Sequence, residues 1–162
     1  MSMLDAAITL CQQGYAAHWL RPRSMAPVAT AWSTAPVATP DDLHTTYRPG
    51  HNVGVRCGQW SQPRSEYGLL VLDIDIRDPQ YQDDATNTVE ALLPEVLEVP
   101  VVLSGRGMGS KHLWVCCPLG MLPPKAAVTI AHGPEPAEKT WNIAYMSLKR
   151  QQAPMMLWRY PR

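Results

Sequence analysis

The amino-acid sequence predicts an α+β domain in which a mixed or antiparallel sheet is flanked by helices. Three patterns predict this class: a helical repeat of apolar residues near the start, an alternating apolar run at residues 52–57, and an almost continuously apolar run at residues 69–76. A chain of 162 residues is within the usual size of one compact domain. We therefore expect a single domain over residues 1–162.

The first elements are indicated by capping residues and spacing. Ser2 is a typical N-cap, and apolar residues recur at helical spacing from Leu4 to Tyr15, which predicts a first helix. A short strand is predicted at residues 16–20, before a loop rich in proline and small residues. Thr39, followed by a proline and two aspartates, has the order of an N-cap, an N1 proline and an acidic first turn, so a short helix should follow it.

The later elements alternate between strands and helices. Strands are predicted at residues 52–57, 69–76, 100–103 and 112–116, and a helix is predicted at residues 81–93. The run at residues 69–76 is apolar on both faces, which is typical of a strand covered on both sides. Beyond residue 118 the pattern weakens, but a helix is expected in which three apolar residues share a face: Trp141, Tyr145 and Leu148.

The composition excludes several classes of protein. With 46% hydrophobic and 17% charged residues, the chain is globular rather than disordered. It contains neither an apolar run long enough to cross a bilayer nor a secretory signal, so we expect a cytoplasmic protein with no membrane partner. Its four cysteines form no CxxC pair, which favours neither a zinc cluster nor a disulfide framework.

The charge is balanced in total but uneven along the chain. Acids dominate residues 73–98, where Arg77 is the sole basic residue, whereas residues 99–162 are rich in lysine and arginine. Such a distribution could hold a cation beside a polyanion. The alternative is an acidic, solvated helix together with scattered surface lysines.

Two aspartates interrupt the apolar strand at residues 69–76. Because successive side chains of a strand point to opposite faces, Asp73 and Asp75 should project on one side while Ile74 and Ile76 face the core. Neighbouring carboxylates repel each other unless a positive charge compensates them, and oxygen ligands suit Mg²⁺ or Mn²⁺. The pair therefore predicts a metal site that receives a phosphate-bearing ligand. Two solvated aspartates at a strand end are the alternative.

A glycine-rich loop precedes the next strand. It spans residues 104–111, whose free backbone N–H groups, with the positive charges of Arg106 and Lys111, could hold a phosphate. His112, at the head of the following strand, could donate a hydrogen bond to a triphosphate. A plain flexible hairpin with a structural histidine is the alternative.

The order of these motifs resembles that of a known family. The motifs are the first helix, the strand before Pro22, Trp32, Thr39-Pro40-Asp41, Asn52-Val53-Gly54-Val55, Leu70-Val71-Leu72-Asp73-Ile74-Asp75, Ser104-Gly105-Arg106-Gly107 and His112-Leu113-Trp114. In this order they resemble the primase-polymerase branch of the archaeo-eukaryotic primase superfamily, whose members carry the N-terminal bifunctional DNA primase/polymerase domain. The resemblance covers about residues 7–118, and residues 119–162 form a divergent C-terminal part.

The resemblance implies an RRM-like catalytic core and a function. It implies a DNA-directed nucleotidyltransferase of replication, of phage or plasmid type, with nucleoside triphosphates as substrates, single-stranded or primed DNA as template, and a replicative helicase on another chain as a possible partner. Asp73 and Asp75 would bind Mg²⁺ or Mn²⁺ and, with His112, form the catalytic group. The nucleotide-binding residues would be Ser104, Arg106, Ser110, Lys111 and His112.

Two alternatives stay open. The family usually supplies a third acid on a later strand, and after His112 the only acids are Glu135 and Glu138. A catalytically silent nucleotide- or nucleic-acid-binding protein is therefore the second hypothesis. A third treats the two aspartates as the metal site of a hydrolase or glycosyl transferase, which leaves the order of the other motifs without explanation.

Overall fold

A computed structural model of the protein describes residues 1–94, 99–103, 109–123, 127–134 and 140–146. The helices and strands in these ranges are α1 (Met3–Gln12), β1 (Ala16–Leu20), α2 (Pro40–Thr46), β2 (Asn52–Arg56), β3 (Tyr67–Ile76), α3 (Gln82–Leu92), β4 (Val101–Leu103), β5 (Lys111–Pro118), β6 (Ala127–His132) and β7 (Trp141–Met146). Short 3₁₀ turns at Pro79–Tyr81 and Leu119–Met121 follow β3 and β5.

The strands form two antiparallel sheets. A larger sheet has the order β4-β5-β3-β7-β6, so β3 lies at its centre, and a smaller sheet pairs β1 with β2. The predicted α+β class with an antiparallel sheet is therefore confirmed. Among the helices of the described ranges, none has the length and apolar character needed to span a membrane.

Reciprocal capping begins the first two helices, as the sequence predicts. The backbone N–H of Asp5 donates to Ser2 Oγ at 3.1 Å, and the backbone N–H of Ser2 donates to a carboxylate oxygen of Asp5 at 2.8 Å. Thr39 and Asp42 exchange the same pair of bonds, at 3.2 and 2.9 Å, at the start of α2. Both pairs satisfy backbone donors that a helix start leaves without intrahelical partners.

Strand β3 is buried on both faces. Leu69 and Val71 pack against α1, β1 and β2, whereas Leu72, Ile74 and Ile76 point the other way and pack with α3. The predicted two-sided burial of this strand is confirmed. The larger sheet thus separates two cores, one shared with the N-terminal elements and one beneath α3.

Specific contacts join the N-terminal elements to the larger sheet. Gly58 and Leu69 exchange two backbone hydrogen bonds, at 2.6 and 3.0 Å. The rings of Tyr15 and Trp114 lie 5.0 Å apart between centroids. A Cβ on Gly14, whose φ is +84°, would overlap the carbonyl oxygen of Gln62, so this close approach requires glycine.

The loop between β1 and α2 covers the outer face of the smaller sheet. The buried guanidinium of Arg56 donates to the carbonyl oxygens of Trp32 at 3.1 Å and Ala35 at 2.8 Å. His18 stacks on the Trp32 ring at 5.1 Å between centroids. These contacts fix the loop on the outer face, where Arg56 also lies 4.3 Å from the centroid of the Trp60 ring.

The predicted helix containing Trp141 and Tyr145 is wrong, because these residues belong to strand β7. Burial alternates over its first four residues, with Trp141 and Ile143 buried on the α3 side of the sheet. The four-residue separation of Trp141 and Tyr145 fits a helix, but it also fits alternate positions of a strand. Leu148, the third member of the predicted helical face, lies outside the described residues.

Candidate functional site

Asp73 and Asp75 project from the same face of β3, near its C-terminal end. Their side chains are 34% and 19% exposed, whereas Ile74 and Ile76 are buried on the opposite face. The face that carries both aspartates is the one that, earlier in β3, packs against the N-terminal elements. The carboxylates therefore extend a buried face to a point where solvent can reach it.

His112 lies directly beside Asp73 on the neighbouring strand. The two residues are register partners of β3 and β5, and His112 Nε2 lies 3.2 Å from a carboxylate oxygen of Asp73. Its other ring nitrogen, Nδ1, is buried and has no hydrogen-bond partner among the described residues. The imidazole therefore directs one nitrogen to the aspartate, whereas its second nitrogen is enclosed by protein without a polar partner in these ranges.

Asp75 has a different neighbour, which is an arginine. Arg77 Nε lies 3.0 Å from a carboxylate oxygen of Asp75. The two carboxylates thus meet separate partners, an imidazole on the neighbouring strand and a guanidinium just after the end of β3. The positive charge of Arg77 reduces the repulsion between like charges that adjacent carboxylates would otherwise feel.

Strand β7 adds polar side chains that the sequence did not indicate. Asn142 is the register partner of Asp75, and His132 on β6 is the register partner of Asn142, so these side chains share the face of the aspartates. Opposite Asp73 lies Ala144. Trp141, Ile143 and Tyr145 alternate along β7. If this segment had been interpreted as a strand, that alternation would have placed Asn142 on the opposite face.

The other predicted nucleotide-binding residues do not all join this face. Lys111 is the register partner of Ile74, which places it on the α3 side of the sheet, away from His112. Ser110 is buried, and its hydroxyl accepts from the N–H of Ile76 at 2.8 Å and donates to its carbonyl at 3.0 Å. Ser104 and Arg106 lie outside the described residues.

The donor atoms on this face suit a hard divalent cation. Asp73 and Asp75 offer carboxylate oxygens, and Mg²⁺ commonly takes one or two protein carboxylates and completes its shell with water and phosphate oxygens. Within the described ranges, no three histidine, cysteine or acidic side chains are grouped closely enough to hold a metal by themselves. Glu135 and Glu138 lie outside those ranges. The two carboxylates fit a site that substrate phosphates would complete.

Comparison with known proteins identifies one family. The family model described as bifunctional DNA primase/polymerase, N-terminal, matches residues 7–147. No curated protein and no solved structure matches the chain. The matched range includes β3, β5 and β7, the three strands that carry the aspartates, His112 and Asn142.

Proposed function

The chain belongs to the bifunctional DNA primase/polymerase N-terminal domain family, and we propose that it catalyses metal-dependent nucleotidyl transfer on a DNA template. Membership of this family gives it a function of the DNA primase/polymerase type. The observation that supports this most directly is the shared face of Asp73 and Asp75, with His112 Nε2 3.2 Å from Asp73. Nucleoside triphosphates would be the substrates, and single-stranded or primed DNA would be the template.

In this proposal, Asp73 and Asp75 hold Mg²⁺ or Mn²⁺. A bound cation would neutralise charge on the triphosphate and would lower the pKa of the attacking hydroxyl. Arg77 pairs with the Asp75 carboxylate, so a bound cation would compete with this ion pair. His112 would orient the Asp73 carboxylate through Nε2. A hydrogen bond from His112 to the triphosphate would come from this same nitrogen, because Nδ1 is buried. Lys111 has no part in the proposal, because its side chain belongs to the other face.

Template-dependent synthesis tests this function directly. Extension of a labelled primer, and de novo synthesis on single-stranded DNA, would be measured with Mg²⁺ or Mn²⁺ for the parent chain and for Asp73→Asn and Asp75→Asn. Each substitution keeps the side-chain size and removes one charge. We expect the rate to fall by at least about 100-fold, because metal ligation contributes several kcal/mol to phosphoryl transfer.

A matched variant controls for general damage. Asp83 is an exposed aspartate at the start of α3, which packs on the other face of the sheet, so Asp83→Asn should synthesise at the parental rate. Equal synthesis by the parent and both site variants would refute the proposed roles of Asp73 and Asp75. Equal losses in all three variants would refute a specific metal site.

A second function is favoured by one observation. In the part of β7 that faces the two aspartates, the register partners are Asn142 and Ala144, neither of which is acidic. A chain with this site could bind nucleotides and nucleic acid without turnover. Titration would then show salt-sensitive binding of single-stranded DNA with no synthesis under any metal, whereas robust polymerisation would reject this second function.

A further inference from the structure

We propose that a basic and aromatic surface at one end of the β1–β2 sheet binds a single strand of nucleic acid. The surface consists of Arg21, Arg23, Tyr47, Arg48 and His51, and we call it the arginine-aromatic surface. It is separate from the residues of the aspartate face. The choice of nucleic acid as the ligand rests on the proposed function, whereas the existence of the surface rests on the contacts below.

The first half of this surface is a hairpin tip that follows β1. The backbone N–H of Arg21 donates to Ala26 O at 2.9 Å, and the N–H of Ser24 donates to Arg21 O at 3.1 Å, which closes a four-residue turn. Arg21 and Arg23 are both exposed at this tip. The turn thus presents two guanidinium groups to solvent on a hydrogen-bonded backbone.

Arg23 occupies a backbone conformation that favours glycine. Its φ is +53°, at the third position of a turn that has proline at the second, where glycine or asparagine is preferred. Glycine would adopt this conformation without the steric cost that a side chain carries. An arginine at this position gives the turn no conformational advantage, so its contribution is the exposed positive charge.

The second half of the surface is formed where α2 ends. The rings of Tyr47 and His51 meet edge to face at 6.2 Å between centroids, and both lie against Trp19, at 5.1 and 5.8 Å. The backbone N–H of Arg48 donates to His51 Nδ1 at 3.2 Å, which fixes the orientation of the imidazole. Two partly exposed rings are therefore held rigidly beside an exposed arginine.

The two halves are adjacent in space. Leu20 and Asn52 are the last register pair of the β1–β2 sheet, so the hairpin tip and the residues before β2 leave the sheet at the same end. A Cβ on Gly50 would lie 3.5 Å from Pro22 Cγ, which is ordinary van der Waals contact. The arginines that flank Pro22 therefore lie next to the segment of Arg48 and His51.

The charge of this surface is not compensated by nearby acids. Within the described ranges, none of Arg21, Arg23 and Arg48 forms an ion pair with a carboxylate. The two acids of α2 lie in its first turn, at the far end of the helix, and Asp42 is engaged with Thr39. Arginines without a carboxylate partner attract a polyanion. Partly exposed rings can in addition stack on bases. An acidic polypeptide has no bases, so the combination favours nucleic acid.

The experiment measures the binding of fluorescently labelled oligothymidylate by polarisation, in the presence of a chelator and without nucleotides. Arg23→Gly relieves the backbone strain, so it should unfold at the same temperature as the parent or a higher one. It should nevertheless bind the oligonucleotide more weakly, and the slope of log affinity against log salt should fall by about 0.7 for one lost phosphate contact. Arg21→Gln should reduce that slope by a similar amount.

Glu66→Gly is the matched control. Glu66 has φ +65° at the same position of another turn, in which the N–H of Tyr67 donates to Arg64 O, but it carries the opposite charge. This variant relieves the same kind of strain and should keep the parental affinity and slope. Parental affinity in both arginine variants, or an equal loss in Glu66→Gly, would overturn the proposed surface.

A base-free strand tests the aromatic half. The parent should bind oligothymidylate more tightly than an abasic phosphodiester strand of equal length, and Tyr47→Leu should remove most of this difference. Equal affinity of the parent for both strands, or for polyglutamate, would overturn the assignment to nucleic acid. The binding assays contain neither metal nor nucleotide, so their outcome is independent of the synthesis assay. Arginine-dependent binding by a chain that does not synthesise DNA would refute only the polymerase function. DNA synthesis by the parent, together with parental binding in the arginine variants, would refute only this surface.

Discussion

The shared face of the two site aspartates followed from strand geometry. The period of two in β3 put Asp73 and Asp75 on one side, and the structure places them there. The approach of His112 to Asp73 depends on the register between β3 and β5, which local sequence patterns do not specify. The same register explains why Lys111 lies on the other face, although it is adjacent to His112 in the chain.

His18 is a residue whose environment makes stability depend on pH. Burial, followed by the nearby positive charge of Arg56, lowers the pKa of His18 from 6.5 to about 4. The unfolded chain therefore takes up a proton near pH 6.5, whereas the folded chain does not until near pH 4. Stability is consequently greatest above that window, falls as the pH drops through it, and levels off below it.

This dependence can be isolated with a neutral aromatic substitute. Between pH 7 and 5, the free energy of unfolding of the parent should fall by about 2 kcal/mol more than that of His18→Phe, which keeps a ring against Trp32 but cannot titrate. Urea denaturation at several pH values measures the difference. Parallel pH profiles for the two proteins would contradict the lowered pKa of His18.

At the scale of elements, capping residues were the most reliable signals. Ser2 and Thr39 correctly located the starts of α1 and α2, because their side chains make local hydrogen bonds that sequence alone specifies. The strands β6 and β7 were harder to predict. A bulge between Thr129 and Ala131 interrupts the alternation of β6, and its pairing with β7 is a tertiary contact.

The capping box of α2 leads to a measurable prediction. Thr39→Ala removes the acceptor for the backbone N–H of Asp42 and should lower the free energy of unfolding by about 1 kcal/mol. Thr45→Ala, an exposed substitution later in the same helix, is the matched control and should change stability by less than about 0.5 kcal/mol. Urea titrations that give equal losses for the two variants would contradict a capping role for Thr39.

At the scale of the whole molecule, the central strand holds two cores together. Leu69 and Val71 belong to the core shared with the N-terminal elements, and Ile74 and Ile76 belong to the core beneath α3. The aspartates occupy the position on the first of these faces where apolar packing ends. The strand that carries the site is therefore packed on both sides.

The contribution of this packing to stability can be measured by making the same leucine-to-alanine substitution at a buried and at an exposed position. Leu69 is 1% exposed and Leu103 is 70% exposed. Leu69→Ala should lower the free energy of unfolding by about 2 to 5 kcal/mol, whereas Leu103→Ala should change it by less than about 0.5 kcal/mol. Comparable losses in chemical denaturation would contradict the burial of Leu69 in the core shared with the N-terminal elements.

The strand order of the larger sheet has a consequence during synthesis on the ribosome. The central strand emerges early, but its partners β5 and β7 begin only at Lys111 and Trp141, so both of its edges stay unpaired while much of the chain is made. Pairings so distant along the chain form slowly and leave apolar edges open to aggregation. The complete aspartate face, which includes Asn142, can therefore form only after β7 has emerged.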